Sequence, residues 1–376
     1  MSKDCVKTYI FSRVYLLLLA LLTTFSVNVS VASSKGSVNS ENLGVLQFSQ
    51  FYLSPQMSLQ EPSRGGFELK NSWIAFRWSK GLEEKEEREQ ERSFLFADLA
   101  FGTADMVAPA LWYAPKSQNL ELTLAKINWK SSIMDFSFGL MQVPFSFEGQ
   151  LNENEKLMPD TYVRSQSWFA RSDYGLQMQT SYKEFLTRVM VHNGESGENL
   201  DQKTWATGLW RYQNESGFGV LLTAQVGQTD QRSSGSSLAT VRSQVAAQNF
   251  VWDPGQSAKH RMGALAIYKQ WNQQLILLES GRGDFIQSDE KYPFVWGHFD
   301  VVSRASEQLR FLFRYEQSQA DLHMSESIIK TTGFGLSWVS AERLSSWTLW
   351  AQKHDENLHL QNDQILLQFR LSNQQQ

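Results

Sequence analysis

The side chains able to do chemistry in this chain are mostly charged groups set at every second position of otherwise apolar segments. In LRFLFRYE, Leu309, Phe311, Phe313 and Tyr315 alternate with Arg310, Arg314 and Glu316. Successive side chains of an extended chain point to opposite faces, so one face is greasy and the other charged. The final segment repeats this, with Ile365, Leu367, Phe369 and Leu371 opposing Gln364, Gln368 and Arg370. Charges held in such rows act on passing ions through their field, not by making or breaking bonds. Signals for catalysis are weak. The six histidines show no metal-ligand spacing, and no serine is flanked by glycines. His298 with Asp300 on one strand face comes nearest to a site, and two polar residues facing water account for it. The expectation is therefore no enzyme and no cofactor.

These rows must be positioned by strands. Tyr174, Leu176, Met178 and Tyr182 share one face of a ribbon whose other face carries Gly175, Gln177, Gln179 and Ser181. After a break at Lys183-Glu184, Phe185, Val189 and Val191 oppose Arg188 and His192. A soluble sandwich would bury the apolar face against a second sheet, whereas a membrane barrel would turn it to lipid and point small and polar residues into the lumen.

The amino terminus separates the two. Lys3, Lys7 and Arg13 precede the apolar run Val14 to Leu22, and Ser30-Val31-Ala32 follows as a small-x-small cleavage site. This predicts a secretory signal peptide over 1–32, too short in its apolar run for a membrane helix of roughly 20 residues. A polar lead over 33–43 and a barrel over 44–376 follow. The only cysteine, Cys5, falls in the leader, which leaves no disulfide or thiolate site. A net charge of -4 argues against nucleic acid as a partner.

Alternating segments predict an all-β, transmembrane antiparallel barrel of about sixteen strands, with short periplasmic turns and longer external loops. The longer connections are placed at Pro55 to Gly66, Thr103 to Asn119, Pro144 to Ser172, Gly194 to Thr204, Thr229 to His260, Arg282 to Pro293, Ser318 to Ile328 and His354 to Asn362. Leu238 to Trp252 is apolar enough for another strand but would reverse the alternation, so it is assigned to a loop. Gly81 to Arg92 is an unusually long charged turn.

Four motifs then carry a resemblance. GFELKNSWIAFRW from Gly66, FGLMQVPFSFE from Phe138, RSDYGLQM from Arg171 and VHNGES from Val191 occur in the order seen in the phosphate-selective porin O/P family, which the chain resembles as a divergent member. The resemblance implies a homotrimeric outer-membrane barrel passing small anions, with the third external loop, Pro144 to Ser172, folded inward. Lys70, Asn71, Trp73 and Gln142 stand where the family often has basic residues, so phosphate preference is not carried over at those positions.

The expected constriction residues are Lys156, Arg164 and Arg171 on the inward loop, with Lys156 solvated among carboxylates. The expected pore-lining residues are Asp98, Asp135, Arg188, Arg211, Arg310, Arg314, Glu316 and Arg370. The arginines have a competing structural role, pairing with wall or loop carboxylates. The function expected is passive diffusion of small hydrophilic solutes across the bacterial outer membrane, with lipid as surroundings. The alternative is a non-conducting structural or adhesive barrel presenting Thr229 to His260.

Overall fold

In the computed structural model the chain divides into residues 1–43 and 44–376. The structure describes residues 45–372 except 54, 61–63, 70–72, 81–93, 104–119, 132, 152–155, 157, 166–167, 169–171, 195–202, 230–256, 273, 288–289, 324, 341–344 and 357–363, with side chains mainly from Leu124 onward.

Eighteen strand segments form one antiparallel sheet among the described residues. They are β1 (Val45–Leu53), β2 (Pro55–Gln60), β3 (Arg64–Leu69), β4 (Trp73–Lys80), β5 (Phe94–Thr103) and β6 (Leu120–Lys130). Then come β7 (Asp135–Gln142), β8 (Ser172–Tyr182), β9 (Phe185–His192), β10 (Trp205–Gln213), β11 (Phe218–Thr229) and β12 (Ala258–Trp271). The last six are β13 (Gln274–Gln287), β14 (Glu290–Arg304), β15 (Leu309–Gln319), β16 (Ile328–Val339), β17 (Ser345–Glu356) and β18 (Gln364–Ser372). β1 and β2 keep one register against β18, from Tyr52 opposite Ser372 to Gln60 opposite Gln364. β2 pairs with β3, and β1 with β4, in a single hairpin. The eighteen segments therefore make sixteen strands, and the first strand bonded to the last closes the barrel and leaves no open edge.

Alternation decides which way each side chain faces. On β11, Leu222 and Val226 are about half exposed, whereas Leu221, Thr223 and Gln225 point inward and are buried. The charged positions of β15 and β18 face inward as their alternation requires, with Arg310, Arg314, Glu316 and Arg370 all buried. A charge facing lipid near the midplane would cost about 2–4 kcal/mol, which fixes this phase. Outward aromatic pairs gather near the short turns: Phe185 with Tyr212 at 5.1 Å, Trp347 with Phe369 at 4.5 Å and Trp129 with Phe136 at 5.5 Å. They form the amphipathic girdle expected at a membrane interface.

The turn at Lys183-Glu184 stands where the sequence puts it, with Lys183 at φ 52°. Gly217, at φ 80°, closes the β10–β11 turn against a backbone oxygen, since a Cβ there would lie 1.7 Å from the Gln270 carbonyl.

Two predicted external loops are strand instead. Residues 55–60 and 64–66 belong to β2 and β3, and residues 282–287 and 290–293 to β13 and β14. In the second case Gly281 and Gly283 are seats for inward aromatic rings. A Cβ on Gly281 would lie 2.0 Å from Trp296, and one on Gly283 would lie 2.2 Å from Phe294. The segments 238–252 and 81–92 lie outside the described residues.

The lumen also departs from expectation. Beside polar rows it holds two apolar clusters: Phe145, Trp168, Phe285, Phe294 and Trp296 with neighbouring methionines in one, and Phe147, Met158, Leu209, Leu221, Leu277, Leu312 and Trp350 in the other. Both include side chains of the segment between β7 and β8. That segment needs an apolar seat, and the wall supplies one.

Candidate functional site

β7 ends at Gln142, and the chain turns inward through Val143 and Pro144 into the barrel. Phe145 donates its backbone N–H to the Val143 carbonyl at 2.9 Å, and Ser146 takes φ 67°. A single 3-10 turn, Glu148–Gln150, and the four-residue helix α1, Tyr162–Ser165, are the loop's only described regular elements. So short a loop has little stability of its own, because an isolated helical turn costs more entropy than its hydrogen bonds return. It is held by the wall.

The wall contacts are specific. Glu279 on β13 accepts the Phe147 backbone N–H at 2.9 Å, and Glu316 on β15 accepts that of Tyr162 at 2.7 Å. Arg314 on β15 grips Asp300 on β14 through two bonds of 2.7 and 2.8 Å. With its remaining N–H groups it donates to Glu148 at 2.9 Å and to the Pro159 carbonyl at 2.5 Å. Arg370 on β18 donates to the Lys156 carbonyl. Within the loop, Glu148 accepts from the Thr161 hydroxyl at 2.8 Å and from its backbone N–H. Ring contacts complete the seating: Phe147 meets Tyr268 edge-on at 4.8 Å, Trp168 meets Phe294 at 5.7 Å, and Tyr162 lies 5.7 Å from His354.

The polar contacts belong to a row crossing neighbouring strands. Register puts Glu279 opposite His298, His298 opposite Glu316, Glu316 opposite Thr331 and Thr331 opposite His354. His298 lies 3.4 Å from Glu279 and 3.2 Å from Asp300. All these acids and Arg314 are almost fully buried, where a hydrogen-bonded pair is tolerated and a lone charge is not.

Among the predicted site residues, Lys156, Arg164, Arg314, Glu316 and Arg370 are brought together by the inward loop. Lys156 is not solvated: it is 4% exposed and bonded to Asp160 at 2.5 Å, because the loop folds its own acid over it. Arg164 is buried 3.4 Å from the same Asp160. Arg171 lies outside the described residues, as does the side chain of Asp98, whose backbone pairs opposite Lys126. Arg310 is buried in the wall. Arg188, bonded to Gln179 at 2.6 Å, Arg211 and Asp135 lie half-buried on β9, β10 and β7, remote in sequence order from the β13–β18 wall that grips the loop.

Sequence reasoning passed over Glu148 and Asp300 as partners of Arg314 and Glu279 as a partner of the loop backbone, although the inward phase of Glu279 and Asp300 on alternating strands was the available signal. It also missed the luminal aromatic residues. A second buried network lies on β8 to β11. His192 bonds Asp173 at 2.8 Å and the Thr207 hydroxyl at 2.8 Å, and Gln225 donates to that hydroxyl at 2.9 Å. Its order resembles an acid–histidine–hydroxyl relay. Thr207 and Asp173 are about 1% exposed or less, which leaves no approach for a substrate. The network ties β8, β9, β10 and β11 together.

No known protein family and no curated protein matches the sequence. Solved structures do match in fold. OmpT of Vibrio cholerae lacking loop L8, an outer-membrane protein, superposes with a TM-score of 0.66 at 9% identity, covering 88% of this chain and 99% of that one. The anion-selective porin from Comamonas acidovorans gives 0.62 at 7% identity, over 88% and 99%. The outer-membrane channel DcaP of Acinetobacter baumannii gives 0.57 at 8% identity, over 87% and 97%. Identities this low establish a shared outer-membrane barrel fold.

Proposed function

We propose that this chain is an outer-membrane porin, a passive channel for small hydrophilic solutes in which the loop over 144–172 sets the aperture. The observation that carries the reading is the clamp by which Glu279, Arg314, Glu316 and Arg370 hold that loop across the lumen. A structural filler would be served by apolar packing alone, whereas charged groups spent on loop backbone fix a path's width and its field together. Solute choice then rests with charges not committed to the clamp, including Arg188 and Arg211. Anion preference, as in the anion-selective neighbour from Comamonas acidovorans, is supported by those arginines and by the family resemblance. The resemblance and the trimeric form recorded for in-vitro folded OmpT of Vibrio cholerae also support a homotrimer, exported by the leader over 1–32.

One observation favours a second reading, a barrel that stays shut. Phe145 is 0% exposed and Trp168 2%, so these two loop rings are packed against luminal side chains of the wall. Planar-bilayer recording of the refolded mature protein separates the two. A porin gives stepwise conductance whose reversal potential shifts in a salt gradient. A folded barrel that never conducts, alone or with its clamp cut, refutes the channel.

A further inference from the structure

The outside of the barrel carries a charge pattern that conduction does not require. Along β12 the lipid-facing positions run Trp271, Lys269, Ile267, Leu265, Gly263, Arg261 and Lys259, and along β13 they run Ile276, Leu278, Ser280 and Arg282. Lys259, Arg261 and Arg282 are exposed. Register puts Arg261 opposite Asp284 and Gly263 opposite Arg282, so the three cations share a few rungs of two paired strands. The acid among them, Asp284, is bonded by Lys291 at 3.0 Å, and no ion pair joins the three cations to a described residue.

Their height is informative. Lys269 and Arg261 are eight residues apart, about 26 Å of strand, which at a tilt of about 35–45° rises about 18–21 Å along the membrane normal and puts the two near opposite borders of an apolar band about 25 Å tall. The cations therefore sit at the interface away from the short turns, where a lipid-facing charge is nearly free, not at the midplane, where it is strongly disfavoured. Beside them an open groove of ≈ 310 Å³ is lined by Val191, Ala206 and Val226 together with Lys259 and Arg261. Val191 and Val226 are about half exposed on the outer face.

We infer that this groove binds a phosphate-bearing lipid of the external leaflet. The guanidinium forks of Arg261 and Arg282 match phosphate oxygens two at a time, and Lys259 adds a point charge. An acyl chain then lies against Val226, Leu222 and Leu265, which continue the groove as exposed apolar surface. Charge complementarity selects an anionic occupant, and a phosphate-bearing lipid brings the anion together with an acyl chain for the apolar rungs beside it. The inference rests on the barrel lying in the membrane with its short turns inward, and not on whether it conducts.

Native mass spectrometry of the refolded barrel in detergent tests it, with bisphosphorylated lipid A and the same lipid stripped of phosphate as probes. The expected result is preferential retention of the phosphorylated lipid, lost on the order of tenfold or more in Lys259→Gln/Arg261→Gln/Arg282→Gln. Lys330→Gln, an exposed change on β16, leaves retention unaltered. Equal retention of both lipids, displacement by millimolar inorganic phosphate, or unchanged retention in the triple variant would each overturn the inference. So would a change of subunit number in that variant, which would make the face a contact between copies. Should the triple variant fail to fold, Arg261→Gln and Arg282→Gln made singly must each weaken retention of the phosphorylated lipid, and unchanged retention in both counts against the site.

Discussion

Cutting the clamp at Arg314 should release the loop while leaving the barrel standing. Of the four short bonds that this guanidinium makes, two stay in the wall, to Asp300, and two reach the loop, to Glu148 and the Pro159 carbonyl. Charge-assisted bonds contribute about 1.5–3 kcal/mol each, so Arg314→Ala removes about 3–6 kcal/mol of loop docking. It also leaves Asp300, Glu148 and Glu316 without their shared cation, and a broken buried pair costs about 3–5 kcal/mol. Both effects oppose the docked loop, and the second is relieved when the loop leaves and water enters. At 1.4 kcal/mol per tenfold, docking weakens by a factor of about 10² to 10⁴. The readout is hydrogen exchange of the Phe147 and Tyr162 amides, whose acceptors are Glu279 and Glu316, recorded beside single-channel conductance. Faster exchange with larger or more frequent conductance steps is expected, with Arg314→Lys intermediate because it keeps charge without the fork. Unchanged exchange and unchanged conductance in a folded Arg314→Ala barrel would refute the reasoning.

Other consequences follow from the wall. Gly281→Val drives a side chain into Trp296 and should destabilise the barrel by about 1–3 kcal/mol, seen as a lower denaturant midpoint. Leu222→Arg places a charge on the lipid face of β11 and should cost about 2–4 kcal/mol in a refolding titration, whereas Arg282→Leu should change stability little. Asp173→Ala strips His192 and the Gly194 N–H of their acceptor, at roughly 1–3 kcal/mol for each buried group left unpaired. Its emission signature should come from Trp205, whose ring lies 6.3 Å from that of His192. A Leu222→Arg barrel as stable as the wild type would remove the case for lipid on that face.

The strand phase was legible because it obeys a local rule. Leu309 to Glu316 and Gln364 to Leu371 announce their faces by alternation alone, and the membrane penalty for a misplaced charge enforces them. The inward loop was legible only through resemblance, since nothing in Pro144 to Ser172 says where it packs. Its partners were not legible: Arg314 meets Glu148 across 166 positions of sequence. Phe294 and Trp296 read as ordinary strand residues, and their service as a seat for Phe145 and Trp168 depends on a loop arriving from another part of the chain. The strand continuing through 282–287, placed in a connection from the sequence, was hidden for a related reason, since Gly281 and Gly283 seat rings of the partner strand. A glycine that ends a strand and one that seats a ring look alike until the partner strand is known.

Control of passage through the lumen by the loop over 144–172 is measured by comparing conductance of the wild type with a barrel in which residues 146–164 are replaced by a short flexible linker. Discrete channels are expected in both, with a severalfold larger step and weaker ion selectivity in the shortened form. Equal conductance in the two folded barrels, or silence in both, would contradict control by the loop.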